Sequence, residues 1–586
     1  MYRPVPPRPK QTSIVRTRTG CRNCRRRRKK CDENKPACTA CIRLGRRCEG
    51  YAIKLEFRSV SFRPTAPRDH QEQMNNSQIP PDSFLQLDMM RPSKEFFYMG
   101  IWETQCAPSL HPVFRELTRL QDLSPVIVDT MMALAARQLS RLLPQAREFG
   151  PLNNLSLCFR PDISQQSISG EFSSSAMRGV AQWTESYFYS DSITALVVLT
   201  LFCYLESLMS NFRGFYLHSD AVRTLLGIHR NFISQLSGYK QSLFAAWVQS
   251  QMHNWWRRFH FATAAFHRDH PPLVAQPMLW SLSALPDSRV SVLMILCESY
   301  RLSAATFMFY SNDAMEIQLT TSPSPPKTRQ SPSTRPCVFL STQEQQLNYQ
   351  RDALSDWYDR LSPSELPTDV YVADHSSVSC KPDPLQILPL RFNSHGIAMN
   401  FAYYVTARVL QCVELFNDHE SNGGQADIDR IYKRAEPWIM ILLRIAAGID
   451  WEACVRLNTY TIGLSGLLLA CALRSNNSAL TFWVQDWLSK RYHEGCLEEG
   501  SFPIFQIAQV LQIINAEKAS GRHVHAVCQS VDDGGGTGKF DSYVSQRLET
   551  VLTYGWCIKS NRFYSRRLVL TSTTPPPPIY RGAAQE

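Results

Sequence analysis

The sequence predicts a mainly α protein: a small finger held together by metal–thiolate bonds, followed by a large all-α domain, with disordered linkers. Three observations predict it. Six of the 18 cysteines fall within residues 21–48, a stretch with few other apolar side chains. From about Ser93 onward, apolar residues recur at spacings of three and four with few alternating β-branched runs, the pattern of helices with one buried face. The segments between are rich in Pro, Ser, Gln and Asn without a sustained period, which is too little apolar material to pack. At 586 residues and 44% hydrophobic content, the chain exceeds one domain and can bury a large core outside the cysteine stretch.

Residues 1–20, Pro- and Arg-rich, read as a disordered basic arm; MYRPVPPRPK has no apolar h-region, so no secretory signal is expected. The finger occupies residues 21–51. Its cysteines, Cys21, Cys24, Cys31, Cys38, Cys41 and Cys48, are separated by 2, 6, 6, 2 and 6 residues. They form two half-units, Cys-x2-Cys-x6-Cys, joined by a six-residue loop. A segment this poor in apolar side chains folds only if something cross-links it, and a Cys-x2-Cys pair suits the tetrahedral geometry of zinc. Six thiolates do not divide into ordinary four-sulfur sites. The arithmetic closes if two zinc ions share two bridging sulfurs. A disulfide framework would need an oxidising compartment, and reduced structural cysteines would not keep this symmetry.

The charge around these thiolates names the partner class. Every residue between Cys24 and Cys31 is basic: Arg25, Arg26, Arg27, Arg28, Lys29 and Lys30. Residues 1–60 carry 18 Lys/Arg against four Asp/Glu, a net of +14, whereas the whole chain is +12. The rest of the chain is therefore close to neutral, at about −2. Positive charge concentrated on one small module is the electrostatic footprint of nucleic-acid binding. A nuclear localisation run is the plainer reading and is compatible with it; six consecutive basic residues repel one another in free solution, so a polyanion is the expected partner.

This spacing resembles, in every gap, the fungal zinc binuclear cluster of transcription factors of the galactose-regulator type, and Pro36 falls where that family usually has a proline. The resemblance implies two Zn2+ ions, with Cys21 and Cys38 as bridging ligands and Cys24, Cys31, Cys41 and Cys48 as terminal ones. It implies a short helix in each half-unit, the first pointing its end into the major groove of double-stranded DNA at a CGG triplet. The base-reading positions, three and four after the second cysteine, are Arg27 and Arg28. Arginine stands where the family commonly has lysine, and its planar fork suits guanine O6 and N7. Arg25, Arg26, Lys29, Lys30, Arg46 and Arg47 are then phosphate contacts. The implied function is a zinc-dependent, sequence-specific regulator of RNA polymerase II genes, nuclear, working with the transcription machinery or co-regulators. Two other readings stand beside it: a general nucleic-acid-binding adaptor with little sequence specificity, and an enzyme carrying a DNA-binding tag.

Residues 52–92 read as a linker that opens with Ile53, Leu55 and Phe57 alternating with polar residues. Cys-x-Gly-Tyr ahead of it (Cys48–Tyr51) resembles a subset of the family whose large domain is the second type of fungal transcription-factor domain. No run of three heptads occurs between residues 52 and 95, so a coiled-coil dimer is not predicted; a homodimer through the helical domain stays open. That domain is expected over 93–565. Helices are predicted at 93–104, 125–143, 191–209, 214–236, 240–267, 288–310, 341–361, 392–416, 428–447, 458–474, 479–492 and 503–519. The very apolar stretches 193–205 and 460–473 are too short to span a bilayer, and no membrane segment is predicted. The resemblance extends over this region in texture only: Trp102, Gly-x-Tyr-x-His-x-x-Ala at 214–221, and Trp255-Trp256-Arg257-Arg258. A Pro/Ser-rich insertion is expected at 321–336 and a disordered tail at 566–586.

Nothing else in the sequence carries chemistry. The GGGTGK run at 534–539 fails as a phosphate loop, because Asp533 takes the first glycine position and Phe540 the Ser/Thr position. His253, His260 and His267 recur every seven residues, about 10 Å of rise, too far apart for one metal. No nucleophile elbow, zinc-protease or dinucleotide motif occurs, and catalysis is not expected.

Overall fold

Apolar residues at helical spacing become buried helix faces over most of the chain in a computed structural model of the full sequence. It describes residues 21–48 in part and, with interruptions, residues 94–569 and 579–580; the longest interruptions are 143–161, 274–286, 313–334, 369–384, 413–423 and 530–549. The basic arm, the 52–92 linker, most of the 321–336 insertion and the GGGTGK run lie outside the described residues. The chain divides into two units, residues 1–70 with 181–190, and residues 71–180 with 191–586.

In the first unit the described residues include the helix α1 (Thr39–Arg43), which starts at Cys38 and ends at Leu44 and Gly45. Gly45 adopts φ +61°, the left-handed conformation that closes a helix end and that a side chain resists. The buried side chains here are the cysteines themselves, with Ala40 and Cys48 partly buried against them. No aliphatic core exists among the described residues of this unit.

The second unit begins with α2 (Lys94–Ile101), a π-helical turn (Trp102–Cys106) and a 3-10 turn (Pro112–Arg115). It continues with α3 (Pro125–Leu142), α4 (Ile163–Ala181), α5 (Ser192–Leu208), α6 (Phe212–Ile228), α7 (Tyr239–Phe259), α8 (Ala264–Asp269), α9 (Ser288–Asn312) and α10 (Arg335–Asp359). The last helices are α11 (His395–Leu410), α12 (Gly424–Gly448), α13 (Trp451–Leu457), α14 (Leu464–Ala472), α15 (Ser478–His493) and α16 (Ile504–Ala519). Each helix expected from the three-and-four spacing has a counterpart, with 240–267 divided into α7 and α8. The main core is built where α7, α9, α11, α12, α14 and α16 meet, around side chains such as Trp256, Leu296, Tyr403, Leu443 and Leu468. All nine residues of α14 are buried, so this helix, apolar on every side, runs through the interior.

The mainly α class holds, and the region also contains strands that the sequence reading did not expect. β1 (Glu498–Glu499) and β2 (Phe502–Pro503) form a short hairpin, while β3 (Arg522–Gln529), β4 (Thr550–Cys557), β5 (Arg562–Val569) and β6 (Ile579–Tyr580) form an antiparallel sheet in sequence order. Residues 523–528 and 553–557 are buried without alternation, because the sheet is covered on both faces and the period-two signal disappears. β3 also carries a bulge between Val524 and Ala526. Opposite it, a Cβ on Gly555 would lie 1.8 Å from the His523 carbonyl oxygen, so the pairing needs a residue without one. The tail expected from 566 is corrected by this sheet: β5 runs through Val569, and Tyr580 and Ile579 pair with Tyr564 and Ser565. Likewise α10 begins at Arg335, inside the expected insertion.

One helix segment, Ser288–Met308, is long and apolar enough to cross a membrane, and 83% of its apolar window is buried inside the protein. It is the spine of the main core, contributing Val292, Leu293, Leu296, Cys297 and Tyr300.

Lys518 shows how costly this interior is for charge. It lies in the last turn of α16, is 8% exposed, and donates from Nζ to the Ala472 carbonyl at the end of α14, 3.1 Å away. Burial pushes its pKa down to about 7. Between pH 7 and the ordinary lysine range, the unfolded chain binds this proton and the folded chain does not, so stability rises with pH across that window. Lys518→Met is expected to stabilise this region by about 1 kcal/mol at pH 7, after the lost hydrogen bond is counted. It should also flatten the rise between pH 7 and 10 in thermal unfolding.

Candidate metal centre and nucleic-acid interface

Each Cys-x2-Cys pair folds into the same turn. The amide of Cys24 donates to Cys21 Sγ at 3.4 Å, and the amide of Cys41 donates to Cys38 Sγ at 3.4 Å. The first cysteine of each half thus caps the turn that carries the second, the way a polar side chain caps a helix start. In the first half Asn23 and Cys24 are helical, and the Arg27 amide donates to the Asn23 carbonyl at 3.1 Å. In the second half the turn extends into α1. The Cys21 amide donates to Cys31 Sγ at 3.4 Å and closes the first half on itself; Asp32 Oδ2, just after it, accepts from the Thr39 amide at 3.1 Å and ties it to the second half.

These turns bring the six sulfurs together. Cys21, Cys24, Cys31 and Cys38 form one group of four, and Cys21, Cys38, Cys41 and Cys48 a second, with the sulfurs in each within 4.8 Å of one another. Cys21 and Cys38 belong to both. The Cys21 Sγ lies 3.6 Å from Cys38 Sγ and 3.8 Å from Cys41 Sγ, and Cys24 Sγ lies 3.7 Å from Cys38 Sγ. Four sulfurs at zinc–sulfur distance around a tetrahedral ion are separated by about 3.8 Å, so the spacing fits zinc. No described cysteine is in a disulfide. Burial pushes the Cys21 and Cys24 thiols up and that of Cys38 up to about 12. Thiols crowded this way hold their protons until a cation takes their place.

Of the predicted DNA-contacting residues, Arg27 is described and exposed, one turn beyond Cys24. Arg25, Arg26, Arg28, Lys29, Lys30, Arg46 and Arg47 lie outside the described residues. Arg43, in the last turn of α1, is exposed and was not singled out from the sequence. Asp32 was also missed; its signal was an acid directly after Cys31, in an otherwise basic half-unit.

Residues 19–57 match the family profile of the fungal Zn(2)-Cys(6) binuclear cluster domain. The N-terminal module is a Zn(2)-Cys(6) cluster. The match runs past the expected finger boundary, into the first residues assigned above to the linker. Curated relatives share this module. The chain is 60% identical over 47 residues to the "Transcriptional regulatory protein moc3" of Schizosaccharomyces pombe, covering 8% of this chain and 9% of that protein. It is 60% identical over 43 residues to the "Transcriptional regulatory protein pro1" of Neurospora crassa, covering 7% and 6%. It is 56% identical over 43 residues to the "Pestheic acid cluster transcriptional regulator 3" of Pestalotiopsis fici, covering 7% and 8%. The chain thus spans less than a tenth of the length of these relatives. No solved structure matches the chain.

Elsewhere, His253 and His267 are both buried within the helical region, and neither belongs to a group of metal-ligand spacing among the described residues. The Gly-x-Tyr-x-His motif surrounds the Glu206 carboxylate. A Cβ on Gly214 would collide with it, and His218 Nε2 lies 3.6 Å from Glu206 Oε1.

Proposed function

We propose that the chain is a nuclear, zinc-dependent regulator of RNA polymerase II transcription that binds double-stranded DNA in a sequence-specific way. The observation that carries this reading is the pair of four-sulfur groups with Cys21 and Cys38 in common, within a stretch, residues 1–60, of net charge +14. Two Zn2+ ions bridged by those two thiolates would satisfy every cysteine and fix both half-units. Arg27 and Arg28 then read a guanine-containing, CGG-like triplet, while Arg25, Arg26, Lys29, Lys30, Arg46 and Arg47 hold phosphates. The helical domain sets activity, through co-regulators or through a homodimer that would pair two triplets.

Binding-site selection from a random duplex pool by the full chain, with and without a zinc chelator, tests this. Enrichment of CGG-containing sites that vanishes with the chelator is expected. Tight, salt-sensitive binding without enrichment would instead establish an adaptor that holds nucleic acid through phosphates alone.

A further inference from the structure

Helix α7 is buried along most of its length although many of its side chains are polar. Gln249, His253 and Arg257 lie four residues apart on one face of it. Gln249 is 1% exposed and His253 2%. The Gln249 Oε1 atom and both ring nitrogens of His253 lack a well-formed hydrogen bond with the protein, although the Gly500 backbone approaches the ring closely enough to favour its protonated form. Buried polar atoms are nearly always paired, and leaving one alone is costly.

Three other elements close around this face. Arg257 donates through Nη1 to the Ser207 carbonyl and, at 3.3 Å, to Ser207 Oγ. Arg141 of α3 donates to the Leu208 carbonyl at 3.5 Å and to the Glu498 carboxylate of β1. The plainer reading is that both arginines cap the C-terminal end of α5. That reading accounts for them and leaves Gln249 and His253 unexplained. Positive charge also predominates: Arg137, Arg141 and Arg257 face Glu206 and Glu498, and Glu206 is already engaged by Asn211 Nδ2 at 2.6 Å. Burial pushes Arg257 down to about 9, with Arg141 adding to the effect and Glu498 opposing it. Burial also keeps His253 neutral, well below the ordinary histidine range, with Arg257 and Arg141 reinforcing it.

We propose that this seam binds a small hydroxy- or amino-carboxylic acid, its carboxylate toward Arg141 and Arg257 and its hydroxyl or amine toward Gln249 and His253. The Gln249 oxygen needs a donor, which excludes a plain carboxylate. A neutral imidazole supplies one donor and one acceptor, which matches a hydroxyl. This site is independent of the zinc module.

The test is thermal unfolding and calorimetric titration of the full zinc-loaded chain with malate, citrate and glutamate, against succinate and against sodium chloride at equal ionic strength. At least one of the three acids should raise the unfolding temperature saturably and bind at one site, with succinate at least about tenfold weaker, as loss of a hydrogen bond implies. Gln249→Leu and His253→Leu should each weaken that binding about tenfold or more while unfolding no lower than the parent without acid. The proposal is overturned if none of the three acids exceeds the salt control, or if both leucine variants keep the parent affinity. In those cases the polar atoms are served by water alone. The titration of the parent protein decides the first point even if a variant does not fold.

Discussion

Replacing Cys21 by serine is expected to abolish sequence-specific DNA binding, with a loss of at least about 100-fold in affinity, while Cys48→Ser should keep part of the bound metal. The difference follows from the geometry. Cys21 belongs to both groups of four sulfurs, Cys48 to one, and Cys48 is also the cysteine least buried. Removing a shared thiolate leaves each group with three ligands; removing Cys48 leaves the group of Cys21, Cys24, Cys31 and Cys38 intact. Among its described residues the module has no aliphatic core to fall back on, and the free energy of structural zinc binding, about 10–16 kcal/mol, is far larger than a few hydrogen bonds supply. Zinc per chain, measured on purified full-length variants beside DNA affinity, checks this. Equal zinc loss in the two variants would show that the sulfurs are not shared.

The zinc module was legible because its fold is written in local spacing. Two Cys-x2-Cys turns and the gaps between them fix which sulfurs can meet, and no distant part of the chain is needed. The helices were legible for a related reason: Ser192–Leu208 and Leu464–Ala472 announce themselves by apolar content alone. What was lost depended on neighbours. His523–Cys528 and Thr553–Cys557 are covered on both sides, so they show no alternation and read as any apolar run. The α4 helix buries little besides Ser169, Ala176 and Val180 and lacks an apolar stripe. Its signal was Asp162, whose Oδ1 accepts from the Gln165 amide at 3.0 Å, a start marker that deserved more weight than the weak periodicity. Gln249 and His253 were unreadable in principle. A polar residue inside a helix is ordinarily placed on the solvent side, and only the packing of α3, α5 and β1 against α7 reveals that no solvent side exists.

Glu499→Ala should be the most damaging single change in the helical domain, and it rests on a residue no local pattern marks. Adjacent strand residues point to opposite sides, so Glu498 reaches Arg141 while Glu499 turns inward, 1% exposed. Its carboxylate sits at the start of α14. Oε1 accepts from the Leu464 amide at 2.9 Å and Asn458 Nδ2 at 2.7 Å; Oε2 accepts from the Ser465 amide at 2.9 Å and Ser465 Oγ at 2.6 Å. Gly463, the N-cap, offers no side chain of its own, and the space its Cβ would take is occupied by this carboxylate. Alanine would strand four buried donors at the positive end of the helix that runs through the core, a cost of about 4 kcal/mol or more at 1–3 kcal/mol for each unpaired group, partly relieved by water. Glu499→Gln keeps the shape and loses about half as much, because its amide nitrogen would face other donors. The two variants also separate charge from hydrogen bonding. Burial raises the Glu499 pKa despite the four donors, so the folded chain holds this proton above the pH at which the unfolded chain releases it. Stability from this group therefore falls as pH rises from the ordinary carboxylate range through the raised value, and Glu499→Gln should remove that slope. Denaturant unfolding of the helical domain between pH 4 and 8 measures both effects. A wild-type chain with no such slope, or an alanine variant within about 1 kcal/mol of it, would mean that α14 is held by its apolar faces alone.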